Sequence, residues 1–261
     1  MFEQIRIETD PRGVATLWLA RPDKHNALSQ QMMTELTDAA ARLGRDPEVR
    51  VVVLAGEGAS FCAGGDLAWM KAQIGADAGM RRQGARLLAG MLSALNTLPK
   101  PLIGRVHGNA FGGGVGMMSV CDIAIASLEA KFGLTEVKLG IIPATIGPYV
   151  VARMGEAKAR RVFFSGRIFS AEEAVTLDIA ARAVPTSELD AAVEAEIAPF
   201  LMGAPGAIAA AKAQCRWLGT QIEAEQIEDS IERLVQVWEG PEAPEGIAAF
   251  FDKRKPGWQT R

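Results

Sequence analysis

Two glycine-rich turns and one isolated carboxylate carry the most chemical information in this chain. Three consecutive glycines, Gly112, Gly113 and Gly114, follow an apolar, strand-like run and open a short apolar stretch. Such a turn at a helix start offers bare backbone N–H groups to an anion, because the first helical amides have no partner inside the helix. Further on, Glu136 stands among apolar neighbours in FGLTEVKLGIIP. A lone carboxylate in an apolar setting is a candidate proton carrier. A second glycine turn, Ser60-Phe-Cys-Ala-Gly-Gly-Asp-Leu67, also leads from a strand into a helix. Two such junctions can each point one N–H at a shared oxygen. Donors for a developing oxyanion plus one base indicate chemistry at the carbon next to a carbonyl.

Two common glycine-loop readings fail. No Lys-Ser/Thr follows Gly113-Gly114, as a nucleotide triphosphate loop requires, and Met117 stands where a dinucleotide fingerprint needs glycine. Close packing of helix on strand stays open as the plain alternative. Glu136 could instead pair with Lys138 at the surface. Asp66 either faces a binding pocket or caps the next helix. Trp69 and Met70 suit a pocket wall and core packing equally. His107 and Asp122 read as structural, and Cys62 and Cys121 as inert small hydrophobes lacking a neighbouring base.

The elements that must position these groups alternate through the first half. Residues 4–8 and 14–20 read as a hairpin around Asp10-Pro11-Arg12-Gly13. Ser29 can cap a helix in which Met32, Met33, Leu36, Ala39, Ala40 and Leu43 recur at helical spacing. Residues 51–55, 102–106 and 122–127 are apolar enough for strands buried on both faces. A helix over 80–98 must end at Leu98-Pro99-Lys100-Pro101. Strands separated by helices require crossovers, hence an α/β fold with parallel pairing. After Pro143 the pattern is helical over 146–154, 157–164, 171–178, 187–201, 205–218, 222–238 and 245–253, with one short strand near 181–184. Ser170-Ala-Glu-Glu173 predicts a capping box. So many consecutive helices cannot all cover one sheet, and several are expected to pack against a second subunit.

Composition bounds the function. Apolar residues make up 49% and the formal charge is −3, so the chain is an ordinary globular protein with no general attraction for nucleic acid or anionic membrane. Three scattered cysteines and two histidines predict free thiols and no zinc site. The N-terminal residues lack the apolar block of a signal peptide and no membrane-length apolar stretch occurs, so the cytoplasm is the expected location.

FCAGGDL at 61–67, GNAFGGG at 108–114, CDIAIA at 121–126 and FGLTEVKLGIIP at 132–143 resemble the enoyl-CoA hydratase/isomerase (crotonase) family. So do RPDKHNALS at 21–29 and FFDKRKP at 250–256. The resemblance implies a crotonase (ClpP/crotonase-like) spiral of ββα units over 1–200, and a helical C-terminal trimerisation region over 201–261. It implies an acyl-CoA substrate, trimers or hexamers, and no metal or cofactor beyond the CoA thioester itself. The catalytic groups it implies are the Gly65 and Gly113 amides and the Glu136 carboxylate. For CoA it implies Arg21, Lys24, Ala27, Ala63, Asp66, Leu67, Phe250 and Lys253, the last two reaching toward a neighbouring subunit's CoA. The family's first glutamate falls on Gly116, a departure shared with Δ3,Δ2-enoyl-CoA isomerases. GGGVGMMSVCD, TEVKLGIIPATIGPYVV and DLAWMK look like bacterial methylglutaconyl-CoA hydratase-type members, which keeps hydration as the expected reaction, with isomerisation or silent CoA binding as alternatives.

Overall fold

In the computed structural model, which describes residues 2–259, β1 (Ile5–Thr9) and β2 (Val14–Leu19) form the expected antiparallel hairpin. α1 (Gln30–Arg45) starts where Ser29 Oγ accepts the Met32 amide, and it buries the six anticipated apolar positions. β3 (Val51–Gly56) is buried throughout. Its Val52 and Leu54 join the main core with α1, whereas Val51 and Val53 pack in a second cluster with Leu189, Val193 and Ile197. Cover on both faces is why this run shows no alternation.

β4 (Ser60–Cys62), α2 (Leu67–Ile74) and α3 (Ala78–Asn96) come next. α3 begins before residue 80 because Asp77 Oδ1 accepts the Met80 amide, and it stops short of the two prolines. β5 (Leu102–Val106), β6 (Asn109–Phe111), α4 (Gly113–Val120), β7 (Ile123–Ser127) and β8 (Lys131–Gly133) continue the alternation. The remainder comprises α5 (Gly147–Met154), α6 (Glu156–Ala159), β9 (Ile168–Ser170), α7 (Ala171–Thr176), β10 (Arg182–Val184), α8 (Leu189–Met202), α9 (Pro205–Leu218), α10 (Ala224–Glu239) and α11 (Glu242–Phe251).

The strands build two sheets. The larger has the order β1-β2-β3-β5-β7-β10, parallel from β2 onward. The smaller has the order β4-β6-β8-β9, with only β9 antiparallel. Each strand of the smaller sheet has three residues, too few to show a period in sequence. That sheet positions the chemistry. β4 runs into the Ala63–Asp66 turn and β6 into the three glycines, so the pairing of Ser60 with Asn109 and Cys62 with Ala110 sets the two turns side by side.

Two local expectations need correction. The helix over 157–164 shrinks to α6, because beyond it Arg161 and Val162 bond three residues back and the chain goes on as turns. The capping box at Ser170 is only half formed. Ser170 Oγ accepts the Glu173 amide, but the Glu173 carboxylate turns to Arg167 and Arg161 instead. Among the described residues no helix is long and apolar enough to cross a membrane.

The 21–28 loop is locked onto the 57–60 loop by Asn26, which is fully buried. Its Oδ1 accepts the Arg21 amide at 2.9 Å, and its Nδ2 donates to the carbonyls of Glu57 and Ser60 at 2.8 and 2.9 Å. Asn26→Ala leaves all three groups unpaired. It is expected to lower the unfolding free energy by on the order of 3 kcal/mol in a denaturant titration.

Candidate active site

At the first turn, Leu28 pairs with Gly65 as an isolated parallel bridge. The Leu28 amide donates to Gly64 O at 2.7 Å and the Asp66 amide to Leu28 O at 3.1 Å. The Gly65 N–H lies between these bonds and donates to no group among the described residues. At the second turn, Gly112 donates to Gly133 O, while the amide of Gly113, the first residue of α4, donates to no group among the described residues. Gly112 adopts φ +48° and ψ −113°, a conformation that side chains resist. A Cβ there would also lie 2.8 Å from Glu136 Oε1, and 4.0 Å from the Gly64 Cα. The two turns and the carboxylate therefore meet at one place.

Glu136 opens a one-turn 3-10 helix, Glu136–Leu139, closed by Gly140 in the left-handed region. The residue as a whole is part-exposed, yet its Oε2 is buried and accepts no hydrogen bond among the described residues. Lys138 is not its partner: that side chain is exposed and lies along the Gly166 turn. Burial raises the Glu136 carboxyl from 4.5 to about 7, and its own backbone amide offsets only part of the rise. A carboxylate in this state exchanges protons near neutrality.

These groups line a cavity of about 430 Å³. Gly65, Gly113 and Glu136 are in its wall, together with Ala63, Leu67 and Phe250. Trp69 and Met70 of α2 also line it, which settles their open reading in favour of the pocket. Asp66 does cap α2, its Oδ1 accepting the Ala68 and Trp69 amides at 2.9 and 3.2 Å. Ala27 is buried and its carbonyl accepts from Arg21. Lys24 and Lys253 are exposed and make no ion pair among the described residues, so these two of the expected CoA contacts present free cationic ends. Arg21 is instead paired with Asp66. Phe250 lies against the cavity of its own chain.

His107, Asp122 and the cysteines stand away from this cavity. His107 Nε2 bonds Gly58 O, and burial holds its ring below the usual histidine range. Asp122 accepts the Leu102 amide and pairs with Lys212 of α9, a structural tie. Burial pushes the Cys62 and Cys121 thiols up to about 12, so neither is a thiolate at neutral pH.

Three contributors have no readable signal in the sequence. Trp238 and Leu234 of α10 close the cavity from a segment that reads only as an amphipathic helix. Ile146 fills the volume beside Gly116: a Cβ on that glycine would lie 2.7 Å from Ile146 Cγ2 and 3.1 Å from its Cβ. The position of the family's first glutamate is thus occupied by a neighbouring hydrocarbon side chain.

The sequence matches the enoyl-CoA hydratase/isomerase family profile over residues 9–261. It is 33% identical over 261 residues to the Mycobacterium tuberculosis protein named "Probable enoyl-CoA hydratase echA8", covering 100% of this chain and 99% of that one. Among solved structures, an enoyl-CoA hydratase from Shewanella pealeana aligns with TM-score 0.81 at 36% identity, covering 98% and 96% of the two chains. Pseudomonas aeruginosa AtuE aligns with TM-score 0.81 at 35% identity, covering 98% and 99%. With sequence, fold and the meeting of Gly65, Gly113 and Glu136 in agreement, the chain belongs to the enoyl-CoA hydratase/isomerase family.

Proposed function

We propose that this enzyme adds water across the double bond of an α,β-unsaturated acyl-CoA. The observation that carries the reading is a carboxylate with a buried Oε2, beside two backbone amides in one largely apolar cavity, all three without a hydrogen-bond partner among the described residues. The thioester oxygen sits between the Gly65 and Gly113 N–H groups. Glu136 takes a proton from water as its oxygen bonds C3, and the π electrons move onto the thioester oxygen as an enolate. The two amides hold that charge, and the protonated Glu136 returns the proton to C2. Fixed, preoriented donors stabilise the enolate more than mobile water can. Apart from Thr135, Glu136, Lys138, Thr145 and the indole N–H groups of Trp69 and Trp238, the side chains lining the cavity are apolar, so the acyl group we assign is uncharged. A terminal carboxylate, as a methylglutaconyl-like chain carries, would find only Lys138 as a counter-ion. We further propose assembly as a trimer or dimer of trimers. α9 buries none of its residues in the single chain, and Met202, Trp217 and Leu218 around it are largely exposed.

The Ile146 side chain against Gly116 supports a second reading, double-bond isomerisation, because among the described residues Glu136 is the only carboxylate that lines the cavity. There Glu136 removes a proton from C2 of a 3-enoyl-CoA and delivers it to C4. Incubation with 2-enoyl- and 3-enoyl-CoA in parallel separates the two: hydration yields a 3-hydroxyacyl product from the 2-enoyl ester, isomerisation none.

Glu136→Gln is expected to remove at least 10³-fold of kcat with the fold intact, measured on the better of those esters; near-wild-type turnover would place the base elsewhere. In the parent enzyme kcat/KM should rise as pH passes upward through about 7, where Glu136 ionises. The same group links pH to stability. The folded state keeps the Glu136 proton up to about 7, the unfolded chain only to 4.5, so this contribution is full below 4.5 and lost as pH rises through 7. Glu136→Gln should therefore be more stable than its parent at pH 8, by up to about 3 kcal/mol.

Gly116→Glu alone should destabilise the protein by several kcal/mol through its clash with Ile146, measured by thermal unfolding. Adding Ile146→Ala should recover much of that loss and raise the ratio of hydration to isomerisation.

A further inference from the structure

We infer that Arg21 is a positioning residue for the Gly65 amide, acting through Asp66, rather than a ligand of the CoA phosphates. The inference rests on the reading of Gly65 as an oxyanion donor. The Arg21 guanidinium bridges two chain segments. Its Nη1 donates to Ala27 O at 2.7 Å and its Nη2 to Asp66 Oδ2 at 3.0 Å. Those same segments are joined by the Leu28-to-Gly64 and Asp66-to-Leu28 backbone bonds. In a parallel bridge the residue enclosed by the two bonds turns its own N–H away from the partner strand, and Gly65 is that residue. The direction of the Gly65 N–H thus follows from the pairing of 27–28 with 64–66, and Arg21 braces both sides of that pairing.

The pair is well shielded, with side-chain exposures of 16% for Arg21 and 12% for Asp66. Burial works against the Asp66 charge, but the Trp69 amide, Arg21 and the Ala68 amide together outweigh it and hold the carboxyl below the usual carboxylate range. Asp66 therefore stays ionised and paired. Its second oxygen starts α2, so one carboxylate fixes both the donor turn and the helix that brings Trp69 to the cavity. A CoA phosphate would have to break this pair to reach Arg21. Lys24, exposed on the same loop and without an ion pair among the described residues, needs no such rearrangement.

The test compares Arg21→Met, Arg21→Lys, Asp66→Asn and the double variant Arg21→Met/Asp66→Asn. Three readouts are used: kcat on an enoyl-CoA, Kd for CoA itself, and the near-ultraviolet absorbance of bound acetoacetyl-CoA, whose enolate needs both amides. Arg21→Met should lower kcat about 10²-fold, the scale expected when one oxyanion donor is misdirected. Its Kd for CoA should stay within about threefold of the parent's. Arg21→Lys should recover about tenfold in kcat, since an ammonium can hold Asp66 or Ala27 O but not in the same bidentate span. The double variant should fall no further than the worse single, because both remove one brace. CoA affinity reduced tenfold or more with kcat retained would overturn the inference in favour of phosphate binding. Should Arg21→Met fail to fold, Arg21→Lys and Asp66→Asn carry the same comparison. If the parent turns over no enoyl-CoA, the hydration reading falls, and the acetoacetyl-CoA signal still decides this one: its loss in Arg21→Met with partial recovery in Arg21→Lys supports the brace, its full retention in Arg21→Met overturns it.

Discussion

Close approach of two backbone turns is the constraint on which this site depends. Oxyanion donors from separate loops converge only if the loops come within a few ångströms, and side chains on either would hold them apart. The chain meets this requirement by pairing β4 with β6 in parallel and following each strand with a glycine-rich turn. Everything else follows from that pairing. The larger sheet and its helices supply the buried platform, Asn26 and Arg21 hold the first turn against its neighbours, and α4 carries the second turn away into the core.

A carboxylate left without a partner in an apolar wall is costly in folding terms, and the cost is also the source of its reactivity. Ionised Glu136 has no hydrogen-bond donor for its Oε2, so it gains by taking a proton, whereas Asp66, a short distance away, is held ionised by three donors. Two carboxylates in adjacent loops thereby take opposite roles, one mobile in protonation and one fixed. Gly116 and Ile146 reinforce this separation by keeping any further acidic group out of the wall.

Much of this was legible from residue types alone. The α1 stripe from Met32 to Leu43, the doubly covered β3 and the two glycine turns all appear in sequence because period, β-branching and glycine each have a local cause. Glu136 was legible because an acid among apolar neighbours violates ordinary patterning. The smaller sheet was not, since three-residue strands have no period to detect. Nor was the engagement of Arg21 by Asp66, 45 residues away, or the meeting of Ile146 with Gly116: such contacts are set by how helices settle on one another, not by either local segment. The Glu173 carboxylate shows the same limit, leaving its local cap for the guanidinium of Arg167.

The cavity is finished by Trp238 and Phe250, residues of α10 and α11 near the end of the described chain. During synthesis on a ribosome the platform, both turns and Glu136 all emerge well before those helices do. The nascent protein can therefore assemble its reactive groups while one side of the pocket is still unbuilt, and the wall is complete only once α10 and α11 have docked.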